Sequence, residues 1–98
     1  MPIYDDLDTF KNHVKNFYIA GIVTDYKTEL KKYGSATFVM LSIPSTVSDR
    51  PNTNGGTHLV IAYIINSGSD MILLAINHGR EVWTSSCQGG NYFNWTLI

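Results

Sequence analysis

Residues 58–65, with the sequence HLVIAYII, decide how this chain folds. The run is short and rich in β-branched residues, so it predicts a β-strand. Successive side chains of a strand point to opposite faces of its sheet, and here both alternating sets are apolar. The run MILLAI at residues 71–76 has the same property. Strands that are apolar on both sides are typical of a sheet that is covered on both sides.

Turn signals recur at regular intervals around these two runs. The segments NSGSD (66–70), NHGR (77–80) and QGGN (88–91) are short and rich in residues that favour turns. Short strands joined by short turns form antiparallel meanders. The four strands predicted for this meander are residues 57–65, 71–76, 81–87 and 92–98.

The N-terminal segment has a different periodicity. Leu7, Phe10, Val14 and Phe17 follow one another at spacings of three and four residues. This spacing places the four side chains on one stripe of a helix. Acidic residues precede lysines along the segment, as the helix dipole favours. The sequence therefore predicts a helix over about residues 5 to 16.

Two more strands are predicted between this helix and the meander, at residues 18–26 and 36–43. They form an antiparallel hairpin with a long basic tip, unless residues 28–33 form a helical turn. The polar segment 44–56 then predicts a long loop, rich in Pro, Gly and Asn. Unstructured loops of this length are uncommon in compact domains and are often functional, so we expect a binding element there.

These elements predict the α+β class in a single domain, residues 1–98. An N-terminal helix accompanies five or six antiparallel strands, as an open sheet or a small barrel like that of the OB fold. One amphipathic helix covers one face of such a sheet. The first hairpin or another protein chain must then cover the second face, and the sequence leaves both alternatives open.

The segment FYIAGIVTDYKTELKKYGSATFVMLSI (17–43) resembles the opening hairpin of OB-fold domains. In that family an apolar strand leads through a basic loop to a second apolar strand. The resemblance implies that the tip of the hairpin contacts single-stranded nucleic acid. The residues that it implicates are Tyr26, Lys27, Lys31, Lys32 and Tyr33.

The charges are unevenly distributed along the chain. The net charge is −1, and twelve of the fifteen charged residues lie in residues 1–50. Few charges therefore remain to solvate the meander, and large apolar patches on soluble proteins usually mark interfaces. We expect a homodimer, or a monomer that joins a partner protein through this sheet. The expected contact residues are Ile64, Ile72, Trp83 and Trp95, with Arg50 in the long loop.

No segment matches a specific catalytic or cofactor motif. Cys87 is the single cysteine, and none of His13, His58 and His78 has a spacing that brings a base to it. No two histidines have the spacing of metal ligands. The glycines at 89 and 90 are explained by the turn that they form. We therefore predict no catalytic residue, no metal and no cofactor.

Three classes of function follow. The first is a non-enzymatic protein that binds another protein, as inhibitors, immunity proteins and phage-encoded antagonists do. The alternatives are an OB-like protein that binds single-stranded nucleic acid, and a small-molecule-binding protein or small enzyme. The N-terminus has no leader-like pattern, and no apolar run approaches the roughly 20 residues that span a bilayer. We expect a cytoplasmic protein without a membrane partner.

Overall fold

The computed structural model describes residues 16–51 and 56–98. That part of the chain contains seven strands and one short helix. All seven strands belong to one sheet. In chain order the elements are β1 (Phe17–Ile22), α1 (Tyr26–Leu30), β2 (Thr37–Ile43), β3 (His58–Asn66), β4 (Asp70–Ile76), β5 (Val82–Gln88), β6 (Asn91–Tyr92) and β7 (Thr96–Leu97).

The strands follow chain order across the sheet from β1 to β6, and β7 also pairs with β5. Strands β2 to β5 are antiparallel neighbours, and β6 and β7 pair antiparallel with β5, so the predicted antiparallel meander from β3 onward is confirmed. The turn between β5 and β6 needs positive φ at both Gly89 (φ 61°) and Gly90 (φ 86°). Two-residue hairpin turns whose twist matches that of the strands require this conformation, which glycine adopts at little steric cost.

The predicted α+β class is wrong. Within residues 16–51 and 56–98 strands dominate, and the helical residues are the five of α1. The helix predicted over about residues 5 to 16 lies outside the described residues, apart from Asn16. The described strands form an open sheet with β1 at one edge, so the alternative of a small OB-like barrel is also wrong.

The first two strands do not form the predicted antiparallel hairpin. β1 runs parallel to β2, with Phe17 opposite Phe38 and Ile19 opposite Met40. Parallel neighbours need a crossover of about a dozen residues or more. Residues 23–36 provide this crossover and include α1, close to the helical turn that was the alternative for residues 28–33. The parallel pairing also removes the structural basis of the resemblance to OB-fold hairpins.

The short helix α1 begins where Asp25 caps it. The Asp25 carboxylate accepts hydrogen bonds from the Thr28 hydroxyl at 2.8 Å and from the Thr28 backbone N–H at 3.2 Å. These bonds lower the pKa of Asp25 below its ordinary value. The cap directs Tyr26 and Leu30 onto one face of the sheet, where both side chains are buried.

That face, here called the covered face, contains the core. Tyr26 and Leu30 of α1 and Val47 of the loop after β2 belong to its buried cluster. In β2, β3 and β4 every second residue is buried, as expected where a single face of a sheet is covered. The buried apolar residues of these three strands are Val39, Leu41, Ile43, Val60, Ala62, Ile64, Met71, Leu73 and Ala75.

The segment 92–98, predicted as one strand, is interrupted. β6 and β7 pair with opposite ends of β5, and residues 93–95 separate them. The Ser85 hydroxyl donates to the Phe93 carbonyl oxygen at 2.7 Å within this interruption. Trp95 thereby packs against the core cluster and meets Tyr26, with a ring-centroid separation of 6.2 Å.

Candidate functional site: the open face of the sheet

The second face of the sheet, here called the open face, carries a regular grid of side chains. The strand registers align three rows of five residues, with one residue from each of β1 to β5. None of these fifteen residues is charged, and twelve are apolar or aromatic. The rows are Phe17, Phe38, Tyr63, Ile72, Ser86; Ile19, Met40, Ile61, Leu74, Thr84; and Ile22, Ser42, Leu59, Ile76, Val82.

Many apolar side chains of the open face are accessible to solvent. Ile72 in β4 is 51% exposed, and Leu74, two residues further along the same strand, is 37% exposed. Exposure is greatest in the edge strand β1, where Ile19 reaches 75% and Ile22 reaches 79%. Scattered exposed apolar residues are normal on a protein surface, but a contiguous set is informative. The grid forms such a contiguous set.

The first row holds the aromatic side chains. The rings of Phe38 and Tyr63 have centroids 4.7 Å apart, and those of Phe17 and Phe38 are 6.4 Å apart. These separations fall within the range of favourable aromatic pairs. The pairs hold the ring of Phe38 between its two neighbours. The row therefore presents a preordered apolar surface that loses little conformational entropy on contact.

Polar groups on the grid are few and uncharged. Ser42, Thr84 and Ser86 are the three hydroxyl-bearing residues other than Tyr63. Such groups can donate or accept single hydrogen bonds, and none of them titrates near neutral pH. The open face can therefore bury apolar surface against another molecule. Its rows supply no acid, base or cation for chemistry on a substrate.

A second cluster lies at the edge of the covered face and joins three segments. The backbone oxygen of Asp49 accepts hydrogen bonds from the Tyr26 hydroxyl at 2.9 Å and from Trp95 Nε1 at 3.0 Å. Lys27 Nζ lies 3.0 Å from Asp49 Oδ2 and 5.0 Å from the centroid of the Tyr92 ring. Burial raises the pKa of both tyrosines to about 12. We call this arrangement the aromatic clamp.

The aromatic clamp borders a cavity of about 280 Å³. The Tyr26 hydroxyl, Trp95 Nε1 and the Lys27 ammonium group, which could face a ligand there, already contact Asp49. These contacts fasten α1 and the C-terminal segment to the loop that follows β2. The cluster is thus explained by its role in holding the cover on the sheet.

The residues predicted to bind a partner do not share one surface. Ile72 lies on the open face, whereas Ile64 is fully buried on the covered face. Trp83 and Trp95 pack against the core from that same side. Arg50 lies in the loop after β2, where its Nε donates to the Ser45 carbonyl oxygen at 2.8 Å. Of these five residues, the structure places Ile72 alone on the open face.

The lysines predicted to contact nucleic acid lie on and after α1. Lys32 Nζ is 3.0 Å from Glu29 Oε1, and the Tyr33 hydroxyl donates to Glu29 Oε2 at 3.1 Å. The bonds from Lys32 and Tyr33 lower the pKa of Glu29. Lys27 belongs to the aromatic clamp, where Tyr26 is buried, and Lys31 is exposed. The structure thus places two of the three lysines beside carboxylates.

Cys87 lies near the end of β5 as a free, buried thiol on the covered face. Its neighbour across the strands is Met71, and burial raises the pKa of the thiol. A raised pKa disfavours the thiolate, which is the nucleophilic form. The surroundings of Cys87 are those of a small apolar core residue.

His58 is fully buried at the start of β3, next to Ile43 of β2. Burial is the main cause that lowers the pKa of its imidazole. Within residues 16–51 and 56–98, no group of three or more His, Cys, Asp or Glu side chains is placed to hold a metal ion. In the same part of the chain, no helix has the length and apolar character needed to cross a membrane.

Sequence reasoning identified a two-sided apolar sheet but missed most of the open face. Phe38, Met40 and Ile61 belong to its grid, as do Phe17 and Ile19 of β1. Alternate residues of β3 and β4 point to opposite faces of the sheet. Once one residue is known to be buried, the alternation assigns every other residue of that strand to a face. Ile64 points into the core and Ile72 points to the open face, so the two residues cannot form one contact surface.

Comparisons with protein-family models, with curated proteins and with solved structures find no match to this chain.

Proposed function

We propose that this chain is a non-enzymatic binding protein whose open face docks against an apolar surface of a protein partner. The observation that carries the proposal is the uncharged grid on β1 to β5, on which Ile19, Ile22 and Ile72 are 75%, 79% and 51% exposed. The classes of small protein proposed here are inhibitors, immunity proteins and phage-encoded antagonists, which bind other proteins without catalysing a reaction. A cytoplasmic location accords with the single unpaired cysteine.

The apolar area of the grid provides a driving force for binding. Each Å² of apolar surface removed from water contributes about 25 cal/mol, so a grid of twelve apolar residues represents a substantial driving force. Contiguous apolar patches of several hundred Å² are rare on free monomers and commonly mark interaction sites. The regular backbone of the sheet also holds the grid in place before a partner arrives, which lowers the entropic cost of binding.

The aromatic row supplies the anchors of the proposed interface. Aromatic residues near the centre of an interface often dominate its binding energy. Phe38 and Tyr63 lie on neighbouring strands inside the sheet, and their rings contact each other. We therefore expect these two residues and Ile72, which follows them in the same row, to contribute most to binding.

Nucleic acid and small molecules are the alternative ligands. A nucleic-acid ligand would use the lysines on and after α1, and its affinity would fall steeply with rising salt because counterions are released. A protein docked on the uncharged grid would show weak salt dependence. The salt dependence of binding therefore discriminates between a nucleic-acid ligand and a protein partner.

Site-specific photo-crosslinking tests the proposal in the native host. A benzophenone side chain replaces Ile72 on the open face, and in a matched control it replaces Thr46, an exposed residue of the loop after β2. The benzophenone at position 72 should give protein adducts, identified by mass spectrometry, in at least tenfold higher yield than the benzophenone at position 46. Equal yields at the two positions, or adducts with nucleic acid alone, would overturn the proposal.

A further inference from the structure

We infer that the occupant of the open face is a second copy of this chain, so that two sheets pack face to face around a two-fold axis. This inference rests on the proposed function and names the partner at the same surface. Three observations carry it: the absence of charge on the grid, its size, and its arrangement about one central residue.

The absence of charge makes the open face compatible with itself. A two-fold axis brings the same surface patch of each copy into contact. A patch that carried charges of one sign would therefore place like charges near each other and disfavour the dimer. None of the fifteen grid residues is charged. A partner chosen by electrostatic complementarity would find nothing on the grid to recognise, whereas a second copy needs nothing of that kind.

The size of the open face suits a small dimer. Five strands about 4.8 Å apart and three rows about 6.8 Å apart cover about 500 Å² in projection. The accessible area exceeds the projection because side chains stand up from the sheet. Stable interfaces bury about 800 Å² on each partner, which is the same order. A narrower contact, such as one made by the edge strand alone, would leave most of the grid in water.

Ile61 lies at the centre of the grid. It belongs to the middle strand, β3, and to the middle row, between Met40 and Leu74. Any face-to-face pairing that overlaps the whole grid brings Ile61 next to its own copy, whether the axis runs along the strands or across them. Packed sheets lie about 10 Å apart, so the two Ile61 Cα atoms are expected at about that separation.

The mass in solution tests the inference directly. One chain has a mass of 11.0 kDa. Size exclusion with light scattering is expected to give a dimer near twice that mass for the wild type. Ile61→Lys should place two charges together at the axis and yield a folded monomer. The control Thr46→Lys adds the same charge on the loop that covers the other face, and it should remain a dimer. Circular dichroism checks the fold of each variant.

A second measurement locates the axis. In a Cys87→Ser background, Ile61→Cys should be joined into covalent dimers by a bismaleimide that spans about 10 Å, the expected distance between the sheets. Thr46→Cys in the same background should give at least tenfold less dimer. If Ile61→Lys fails to fold, Ile72→Lys replaces it in the mass measurement, because the Ile72 side chain is half exposed and can accept a charge.

The outcomes separate this inference from the proposed function. The dimer inference is overturned if the wild type stays monomeric over a concentration range of about a hundredfold. It is also overturned if a dimer persists in folded Ile61→Lys and Ile72→Lys variants, because its interface would lie elsewhere. If a monomeric wild type still gives adducts with a different protein from position 72, the dimer fails while the proposed function stands.

Discussion

The covered and open faces of the sheet are built by the same strands from the same kinds of residue. Leu73 is completely buried, whereas its neighbours Ile72 and Leu74 in β4 are half and more than a third exposed. The three residues are adjacent in sequence and similar in hydrophobicity. The two faces therefore differ in which segments of the chain pack against them and not in their composition.

The cover comes from three connections that pass over one side. α1 contributes Tyr26 and Leu30, the loop after β2 contributes Val47, and the interruption between β6 and β7 contributes Trp95. Hydrogen bonds from Tyr26 and Trp95 to the same Asp49 oxygen join these connections. A few tethered residues thus define the core of a sheet that is apolar on both sides.

The sharpest test of the comparison substitutes adjacent residues of β4. Leu73→Ala should reduce the free energy of unfolding by about 2 to 5 kcal/mol, because it leaves a cavity on the covered face. Ile72→Ala should cost less than about 1 kcal/mol, since half of its side chain is already in water. Urea unfolding at low protein concentration measures both values. Similar losses in the two variants would show that the open face is covered within the monomer.

A smaller effect is expected when the cover is loosened. Tyr26→Phe removes the hydroxyl that donates to Asp49 and accepts from Trp95 Nε1. The expected loss is about 1 kcal/mol, or a fall in Tm of about 5 °C for a chain of this length. Tyr63→Phe removes a hydroxyl from the open face and serves as the matched control, with an expected loss below about 0.5 kcal/mol. Equal decreases in Tm in the two variants would show that the Tyr26 hydroxyl does not stabilise the covered face more than the Tyr63 hydroxyl stabilises the open face.

The smallest effect concerns pH and the buried end of β3. Burial lowers the pKa of His58 below 6.5, so the unfolded chain binds a proton at a higher pH than the folded chain does. Stability should therefore rise with pH between about 5.5 and 7.5, where the carboxylates are already ionised. In His58→Leu this rise should be reduced. Thermal unfolding across the range measures the slope.

The exposed His78 provides the control for that experiment. His78→Gln should keep the slope of the wild type, because it leaves the buried imidazole in place. A slope that survives in His58→Leu and disappears in His78→Gln would contradict the assignment of the pH dependence to His58.

Much of the meander could be predicted from the sequence. The turns at 66–70, 77–80 and 88–91 are local signals, since clusters of Gly, Asn, Asp and Ser favour turns, although Arg80 and not Gly79 takes the positive φ in the second of them. The two apolar faces of β3 and β4 also predicted a sheet covered on both sides, but one face carries Ile72 and Leu74 at 51% and 37% exposure. These features depend on residues close together in the chain, and the structure confirms the antiparallel order of β2 to β5.

The remaining features depend on contacts that a linear pattern does not specify. The alternation in β1 fits a strand of either direction, so its parallel pairing with β2 was not predictable from periodicity. The path of the chain after Tyr92 places Trp95 against Tyr26, which depends on the interruption of the last strand. Without these two facts, the sequence could not indicate which apolar residues lie inside and which lie on the open face.

The parallel pairing of β1 has a consequence for the order of folding. Strands β3, β4 and β5 are joined by short turns, so each can meet its neighbour after closing a small loop, whereas β1 joins β2 only after the crossover 23–36 has closed. β1 also has little buried surface to hold it, since most of its residues are exposed. It is therefore the strand expected to dock last and to detach first in a local opening. Because β1 supplies one residue to every row of the grid, its docking completes the open face and its detachment would shrink that face while leaving the core intact.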